Sequence, residues 1–543
     1  MHRFLLVFFA AVLSAAESAT AVRFRNVAEA AGLRFQIENA PMTEKRMIET
    51  MAGGLAVFDY NNDGRPDIFF TNGAAGLEMK KSDPKYWNRL FRNDGGWKFT
   101  DVTAEAGVAG AGYAMGASAA DFDNDGNVDL FVANVGGSIL YRNLGNGKFQ
   151  DITTAAGIHD DLWAVAAVWL DYDNDGRLDL WVTHYAKWPA AMDRFCGDTQ
   201  KGVRVYCHPK YFQGLPNYLY HNLGNGKFED VSVRSGVAEH LIRGMGVATG
   251  DYDGDGFMDV FVTNDNAPNA LFRNLGNGKF EEVGLLAGVA LMDSGKPVAS
   301  MGADFRDYDN DGWPDLFVVD LFNETFPVFR NTGKGGFRDA GYATRISRLT
   351  AKISGWGVGL FDFNLDGWKD LFYTCAHVND LVEQFEPTRY RLPNTILINE
   401  KGVFRDGTAE AGADFQTPRA HRGLAFADFN GDGKMDAVVS SLLDPAELWE
   451  NITETDGDWL IVKLQGVQAN RDGIGARLKW GGQWNVMTTS IGYSSSGHFG
   501  VHFGAPKGEG GDTLEIWWPG GQKQVVTGVK PRQVLVVREA PSK

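Results

Sequence analysis

The residues of this chain with the most evident chemistry are aspartates. The stretch "DYDNDGRLD" (171–179) places carboxylates at its first, third, fifth and ninth positions around a glycine at the sixth. Six further stretches share the pattern, opening at Asp59, Asp121, Asp251, Asp307, Asp362 and Asp428. Alternate carboxylates on a sharply turning loop suit a hard divalent cation such as calcium, which takes six to eight oxygen ligands in flexible geometry. The glycine permits the turn, and the seventh residue can add a backbone carbonyl.

The expected ligand sets are therefore Asp59, Asn61, Asp63, Arg65 and Asp67; Asp121, Asp123, Asp125, Asn127 and Asp129; and Asp171, Asp173, Asp175, Arg177 and Asp179. They continue with Asp251, Asp253, Asp255, Phe257 and Asp259, and with Asp307, Asp309, Asp311, Trp313 and Asp315. The last two are Asp362, Asn364, Asp366, Trp368 and Asp370, and Asp428, Asn430, Asp432, Lys434 and Asp436. Metal-free turns are the alternative, because Asp and Gly favour turns in any case. Recurrence of the same ligand spacing seven times favours metal, with up to seven structural Ca²⁺ ions. So does electrostatics, since carboxylates gathered this closely repel one another unless neutralised.

What positions these turns is a β-framework. An EF-hand would carry a bidentate Glu at position twelve and a helix on each side; here that position is Phe70, Val132, Val182, Val262, Val318, Tyr373 or Val439, inside strand-like runs such as "DLFVAN". A second recurring stretch, such as "LYRNLGNGKFQDITTAAGI" from Leu140, reads as strand, turn, strand and short connection. Together they make four strands per repeat of roughly 60 residues, the pattern of a propeller blade. The last repeat reaches "LWEN" (448–451) without a fourth strand, and "VRFRNVAEAAGL" (22–33) supplies that fragment at the other end of the chain. The expectation is an all-β, seven-bladed propeller over 22–453 with the N-terminal strand closing the last blade, followed by a small β-domain over 457–541. Gly- and Ala-rich runs before each turn, such as "AMGASAA", suit innermost strands crowded at an axis.

Composition narrows the function. A formal charge of −17 and no Lys/Arg-rich run argue against nucleic acid as a partner. "MHRFLLVFFAAVLSAAESATA" (1–21) has the basic tip, apolar run and small-residue end of a secretory signal peptide; its apolar run is shorter than the ~20 residues a membrane span needs. The expectation is an exported protein, secreted or periplasmic. Cys196 and Cys207 flank a Gly-containing loop and suit a disulfide in an oxidising compartment. Zinc at Cys207 and His208 lacks the ligands to complete it, and Cys375 reads as a buried thiol.

The repeats resemble FG-GAP/VCBS repeats, the calcium-loop blades also found in integrin α-chains. "RMIETMAGGLAVFDYNNDG" (46–64) and the "C…YCHPKYF" insertion resemble bacterial relatives of cartilage acidic protein. "NRDGIGARLKW" (470–480), "GYSSSGHFGVHFG" (492–504) and "LEIWWPGGQKQVV" (514–526) resemble the ASPIC/UnbV domain that ends such proteins. The resemblance implies calcium binding and an extracellular or cell-surface interaction role. It does not imply one reaction, although some relatives lie in natural-product pathways. Asn at 61, 364 and 430 departs from the Asp of the pattern and weakens those three sites.

Chain direction puts the insertions 74–88, 185–216 and 376–394 on the face opposite the carboxylate turns. The middle one carries Trp188, Phe195, Tyr206, Tyr211 and Phe212, and aromatic loops on a rigid scaffold are where binding usually sits. Around the channel mouth on that face the sequence places Glu49, Trp163, Arg243, Trp356, His421 and Arg422, a set suited to an anionic substrate or to a salt-bridged plug. The leading expectation is an extracellular binding or adhesion module for a macromolecule or glycan, with calcium structural. The alternative is a lyase, cyclase or hydrolase of natural-product or glycan metabolism, working in a central pocket. A purely structural matrix component is the third possibility. Converging charged and aromatic residues would favour the enzyme, a broad shallow aromatic face the binder.

Overall fold

The computed structural model describes residues 20–76, 78–187 and 194–541, so residues 1–19 of the expected signal peptide and Trp188 lie outside the described residues. The chain is all-β. Seven sheets recur along residues 22–453, each built around one carboxylate turn. In the first, Leu55–Phe58 runs into the turn, Asp67–Phe70 leaves it, and Arg89–Asn93 and Phe99–Asp101 complete the antiparallel order. The last sheet takes its fourth strand from the N-terminus: Phe24 pairs with Asn451 and Asn26 with Trp449. The first strands touch one another in chain order, from Leu55–Phe58 to His421–Ala427, and the last of them touches the first.

Each turn is closed by its own aspartates. The first-position carboxylate of Asp171 accepts from the backbone N–H groups of Asp175 and Gly176, both at 3.0 Å. Gly176 sits at φ +83°, a conformation that side chains with a Cβ adopt only with strain. The ninth-position aspartate is buried and accepts twice. Asp179 receives the N–H of Tyr172 at 3.2 Å and that of Asn222 at 2.8 Å.

That asparagine joins neighbouring sheets. Asn93, Asn143, Asn222, Asn274, Asn331, Asn399 and Asn451 each donate Nδ2 to the backbone carbonyl of the aromatic residue in the preceding turn, at 2.7–3.1 Å. The series runs from Asn143 on Tyr60 to Asn451 on Phe363, and Asn93 returns it to Phe429 of the last turn. The same aromatic ring packs on a phenylalanine of the next sheet, as Tyr60 does on Phe149 and Phe429 on Phe99. Phe24 of the N-terminal strand fills this role against Phe363.

The C-terminal segment is less self-contained than its sequence suggests. Its strands form a three-stranded sheet (Asp458–Gln465, Val501–Ala505, Gln533–Arg538) and a four-stranded one (Arg477–Trp480, Gln483–Val486, Thr513–Trp517, Lys523–Thr527). Residues 488–499 leave both and run in among the first strands of the repeats. Ser495–His498 pairs in parallel with Leu55–Phe58. Ala117 N–H donates to the Ser494 carbonyl at 3.1 Å, and Ala303 N–H to that of Gly492 at 3.3 Å. The small residues ahead of each turn therefore make room for this loop as well as for one another. A Cβ on Gly54 would lie 2.1 Å from the Ser494 carbonyl oxygen, and one on Gly302 would lie 2.9 Å from the Gly492 carbonyl carbon.

Of the insertions, 185–216 is pinned by the Cys196–Cys207 disulfide and a two-residue hairpin, Gly197–Asp198 with Val203–Arg204. The 74–88 insertion folds around Lys81, whose buried amine donates to the carbonyls of Asn72, Gly73 and Tyr86. Cys375 is a buried thiol, as expected.

If the asparagine bond is the joint between sheets, Asn274→Ala strands the carbonyls of Tyr172 and Met258, at a cost of about 1–3 kcal/mol for each. The exposed Asn277→Ala should stay within about 0.5 kcal/mol of the parent. Denaturant titration of the two variants tests this; equal stability would mean the bond carries nothing.

Candidate functional sites: the carboxylate turns and a central cavity

The turns opened by Asp121, Asp171, Asp251 and Asp307 each gather three carboxylates whose oxygens lie within 4.8 Å of one another. In the third turn His221 joins Asp173 and Asp179 as a further grouping. One buried oxygen each of Asp123, Asp173, Asp307 and Asp309 meets no hydrogen-bond donor. Orphaned buried carboxylate oxygens at expected ligand positions fit a divalent cation, which would neutralise each cluster and cross-link its ligands. The seventh-position residues enter differently on their N–H side: the backbone N–H groups of Arg65, Asn127, Arg177, Phe257, Trp313, Trp368 and Lys434 all donate to the fifth-position aspartate. Arg65 and Arg177 also lay their guanidinium groups on Asp63 and Asp175. The turns opened by Asp59, Asp362 and Asp428 have asparagine at the third position and so one carboxylate fewer.

Burial, together with the neighbouring carboxylates, pushes these groups toward protonation. Asp67 rises to about 8, Asp121 and Asp171 to about 7, and Asp307 and Asp428 to about 6, with desolvation the leading cause in each.

The C-terminal segment packs against the same turns. Asp121 N–H donates to Asp472 at 2.9 Å, Gln483 donates to Asp362 at 3.0 Å, and Lys369 reaches the Trp484 carbonyl at 2.8 Å. Two ligand-turn aspartates are therefore already engaged by the tail.

A cavity of about 330 Å³ is walled by residues from the disulfide-pinned insertion (Tyr206 to Pro209), the 376–394 insertion (His377 to Asn379, Glu386), the short helix Ile48–Met51 and loops at Asp265 and Glu324. Trp356 and Met301 line it from the side of the first strands. Below Trp356 lies Tyr493 of the inserted tail loop, with ring centroids 4.9 Å apart; its hydroxyl donates to the Met51 carbonyl at 2.7 Å.

The channel-mouth set does not converge as the sequence suggested, and only Trp356 among it lines this cavity. Glu49 is fully buried, accepting from the Arg46 N–H and the Tyr206 hydroxyl. Trp163 is buried edge-on to Tyr185, at 5.0 Å. His421 pairs with Glu447 at 3.1 Å, and its other ring nitrogen contacts the Cys375 carbonyl. Arg422 stacks on Trp356 at 3.9 Å and donates to the Thr50 and His421 carbonyls, while Arg243 donates to those of Asp265 and Asn266. These groups are drawn into the wall because a buried polar group must find a partner there. Tyr211 stays half-exposed beneath the Arg194 guanidinium and lies off the cavity. Among its described residues the 74–88 insertion contributes none to the lining.

Sequence reasoning missed Asp265, Glu324, Met245 and Met301, which share no motif, and the seven joining asparagines, whose signal was present in the repeated "RN", "HN", "IN" or "EN" ahead of each second turn.

Family comparison agrees with the repeats. The FG-GAP-like repeat matches residues 59–132, 121–182, 211–262, 251–318 and 307–373, and ASPIC and UnbV matches 466–543. The chain belongs to the FG-GAP-like repeat family and ends in an ASPIC/UnbV domain. It is related to cartilage acidic protein 1: 24% identical to the Xenopus tropicalis protein over 86% of this chain and 61% of that one. Against the human protein the figures are 23%, over 61% and 39%. The chain thus spans less than two thirds of these relatives. Among solved structures, it aligns at TM-score 0.40 and 15% identity with an Agrocybe aegerita lectin that recognises non-reducing terminal N-acetylglucosamine, over 72% of this chain and 86% of that one. No helix among the described residues is long and apolar enough to cross a membrane.

The raised carboxylates set a pH trend for metal-free protein. In the unfolded chain they ionise near pH 4, whereas in the fold they hold protons up to about 6–8. The folded state binds more protons across that window, so stability falls as pH rises from about 4 to about 8. Metal-free protein should melt higher at pH 5 than at pH 8, and saturating calcium, which holds the ionised forms, should abolish or reverse the order. A metal-free melting temperature that climbs with pH would contradict the assignment.

Proposed function

We propose that the chain is a secreted, calcium-stapled binding module whose seven sheets are the blades of one closed propeller, with its ligand taken into the central cavity. Closure is supported by the return of the asparagine series from Asn93 to Phe429 and by the N-terminal strand in the last sheet. Calcium is supported by the orphaned carboxylate oxygens of the turns and is structural in this reading, since the ligands come from one loop and leave no reacting group beside them. Export by residues 1–21 accounts for a disulfide in the ligand-facing insertion.

The observation that carries a ligand-binding role is the cavity, because two long insertions converge on it from opposite parts of the chain. Insertions of this length persist where they serve a site. A cavity of about 330 Å³ suits a small molecule, or one group of a larger partner such as a glycan terminus, better than a flat protein surface. The same convergence of charged and aromatic side chains favours a second reading, an enzyme acting on that ligand as a lyase, cyclase or hydrolase. Recovery of a cognate ligand unchanged after prolonged incubation would separate binder from enzyme.

Metal counting and melting with chelator and then with restored calcium test the scaffold. The expected result is several ions per chain and a reversible rise, about 2.7 kcal/mol per site at a hundredfold excess over Kd. The turns opened by Asp59, Asp362 and Asp428 should empty first. No bound metal and no shift would leave the turns as hydrogen-bonded loops only.

A further inference from the structure

The central cavity carries a charge imbalance that its own walls do not resolve. Asp265 and Glu324 line it, and Glu386 stands at its exposed rim. Asp320 directly precedes the lining residues Leu321 and Phe322; it is fully buried, and the neutral Ser300 hydroxyl is the one side-chain donor beside it, without a well-formed hydrogen bond. Among the described residues none of these four carboxylates forms an ion pair with a lysine or arginine. Asp265 has only neutral partners, the Tyr185 hydroxyl at 2.8 Å and the Asn266 amide at 3.2 Å, and Glu324 accepts the Ala299 N–H at 2.9 Å.

The nearby cations form no ion pair with these carboxylates: Arg243 and His208 act on Asp265 only through space, and desolvation outweighs them. Arg243 and Arg422 are held by backbone carbonyls, as described above. Burial lowers the pKa of His208, and that of His377 to about 4, so His377 is neutral across the physiological range. Among the described residues no lysine lines the cavity. Much of the rest of the wall is apolar and polarisable, with Met51, Met245, Met301, Tyr185, Phe322 and Trp356, and Thr50, Asn266 and Asn379 add neutral polar groups. A metal ion is a poor fit here, because among the described residues the carboxylate groupings close enough to share one all lie at the calcium turns.

We propose that this cavity binds a small protonated primary or secondary amine carried on an apolar body. The ammonium group would take the Asp265 and Glu324 carboxylates, and the body would lie against the methionine and aromatic wall. Hydrogen-bonding acceptors at the charged end favour N–H donors over a quaternary ammonium. Desolvation raises the pKa of Asp265, Asp320 and Glu324 alike, as expected for buried carboxylates short of a counter-ion. Thioether and aromatic walls tolerate varied apolar shapes, so charge is the main selector. The inference rests on the cavity being the ligand site proposed above.

The test is calorimetric titration of the full, calcium-loaded chain with three isosteric probe sets, each on apolar bodies of roughly 6–12 carbons: primary amines beginning with phenethylamine, the matching alcohols, and the matching carboxylates. The expected result is saturable binding of amines at least about tenfold tighter than the alcohols, and no binding of carboxylates. Glu324→Gln and Asp265→Asn, which keep shape and one acceptor oxygen while removing the charge, should each weaken the best amine about tenfold or more while circular dichroism shows the parent fold. If alcohols match amines, or carboxylates bind best, the charge assignment falls and the cavity remains a ligand site. If no member of any set binds at millimolar concentration, the amine proposal falls, and titration with mono- and disaccharides then decides whether the cavity is a ligand site at all.

Discussion

One buried asparagine per repeat holds this molecule in register. Its N–H reads the ninth-position aspartate of its own turn, and its amide reads the carbonyl of the turn before. A polar side chain this deep is costly unless satisfied, and here its side-chain amide meets three backbone partners, two carbonyls and a glycine N–H, as Asn222 shows. The bond is local to one sheet at one end and crosses to the next at the other. It converts seven similar units into a single object, and the same bond joins the last unit to the first through Asn93 and Phe429.

The carboxylate turn is the other half of that joint, because the aromatic residue whose carbonyl is read sits at its second position. A turn distorted by repulsion among its aspartates would misplace the carbonyl and loosen the contact with the next sheet. If the turns hold cations as proposed, their occupancy and the cohesion between sheets are one property. The tail extends the coupling, since Asp472 and Gln483 engage ligand-turn residues while the loop through Tyr493 reaches the underside of the cavity wall. Turns, tail and cavity form one continuous packing path.

Much of this is legible in sequence because it repeats. Seven aspartate patterns, their spacing and the stray "VRFRN" at the N-terminus lead to the antiparallel pairing of Phe24 with Asn451 that the fold shows. The disulfide is legible from two cysteines around a short loop. What escapes is whatever does not repeat. Residues 488–499 read as a Gly/Ser turn, and nothing local signals that Gly492 and Ser494 lie among strands hundreds of residues earlier. Asp265, Asp320 and Glu324 each occupy ordinary loop or strand-end positions and gain meaning only where the repeats converge. Glu49, Arg243, His421 and Arg422 illustrate the opposite error: sequence proximity to first strands put them near the channel, but burial turned both arginines toward backbone carbonyls, His421 toward Glu447 and Glu49 toward the Tyr206 hydroxyl.

The most direct measurement is the anomalous difference map of a crystal grown with calcium. If cations complete the joint between sheets, density appears in the turns, strongest at those opened by Asp121, Asp171, Asp251 and Asp307. Ordered but empty turns in calcium-saturated crystals, with the sheets packed as described, would contradict it.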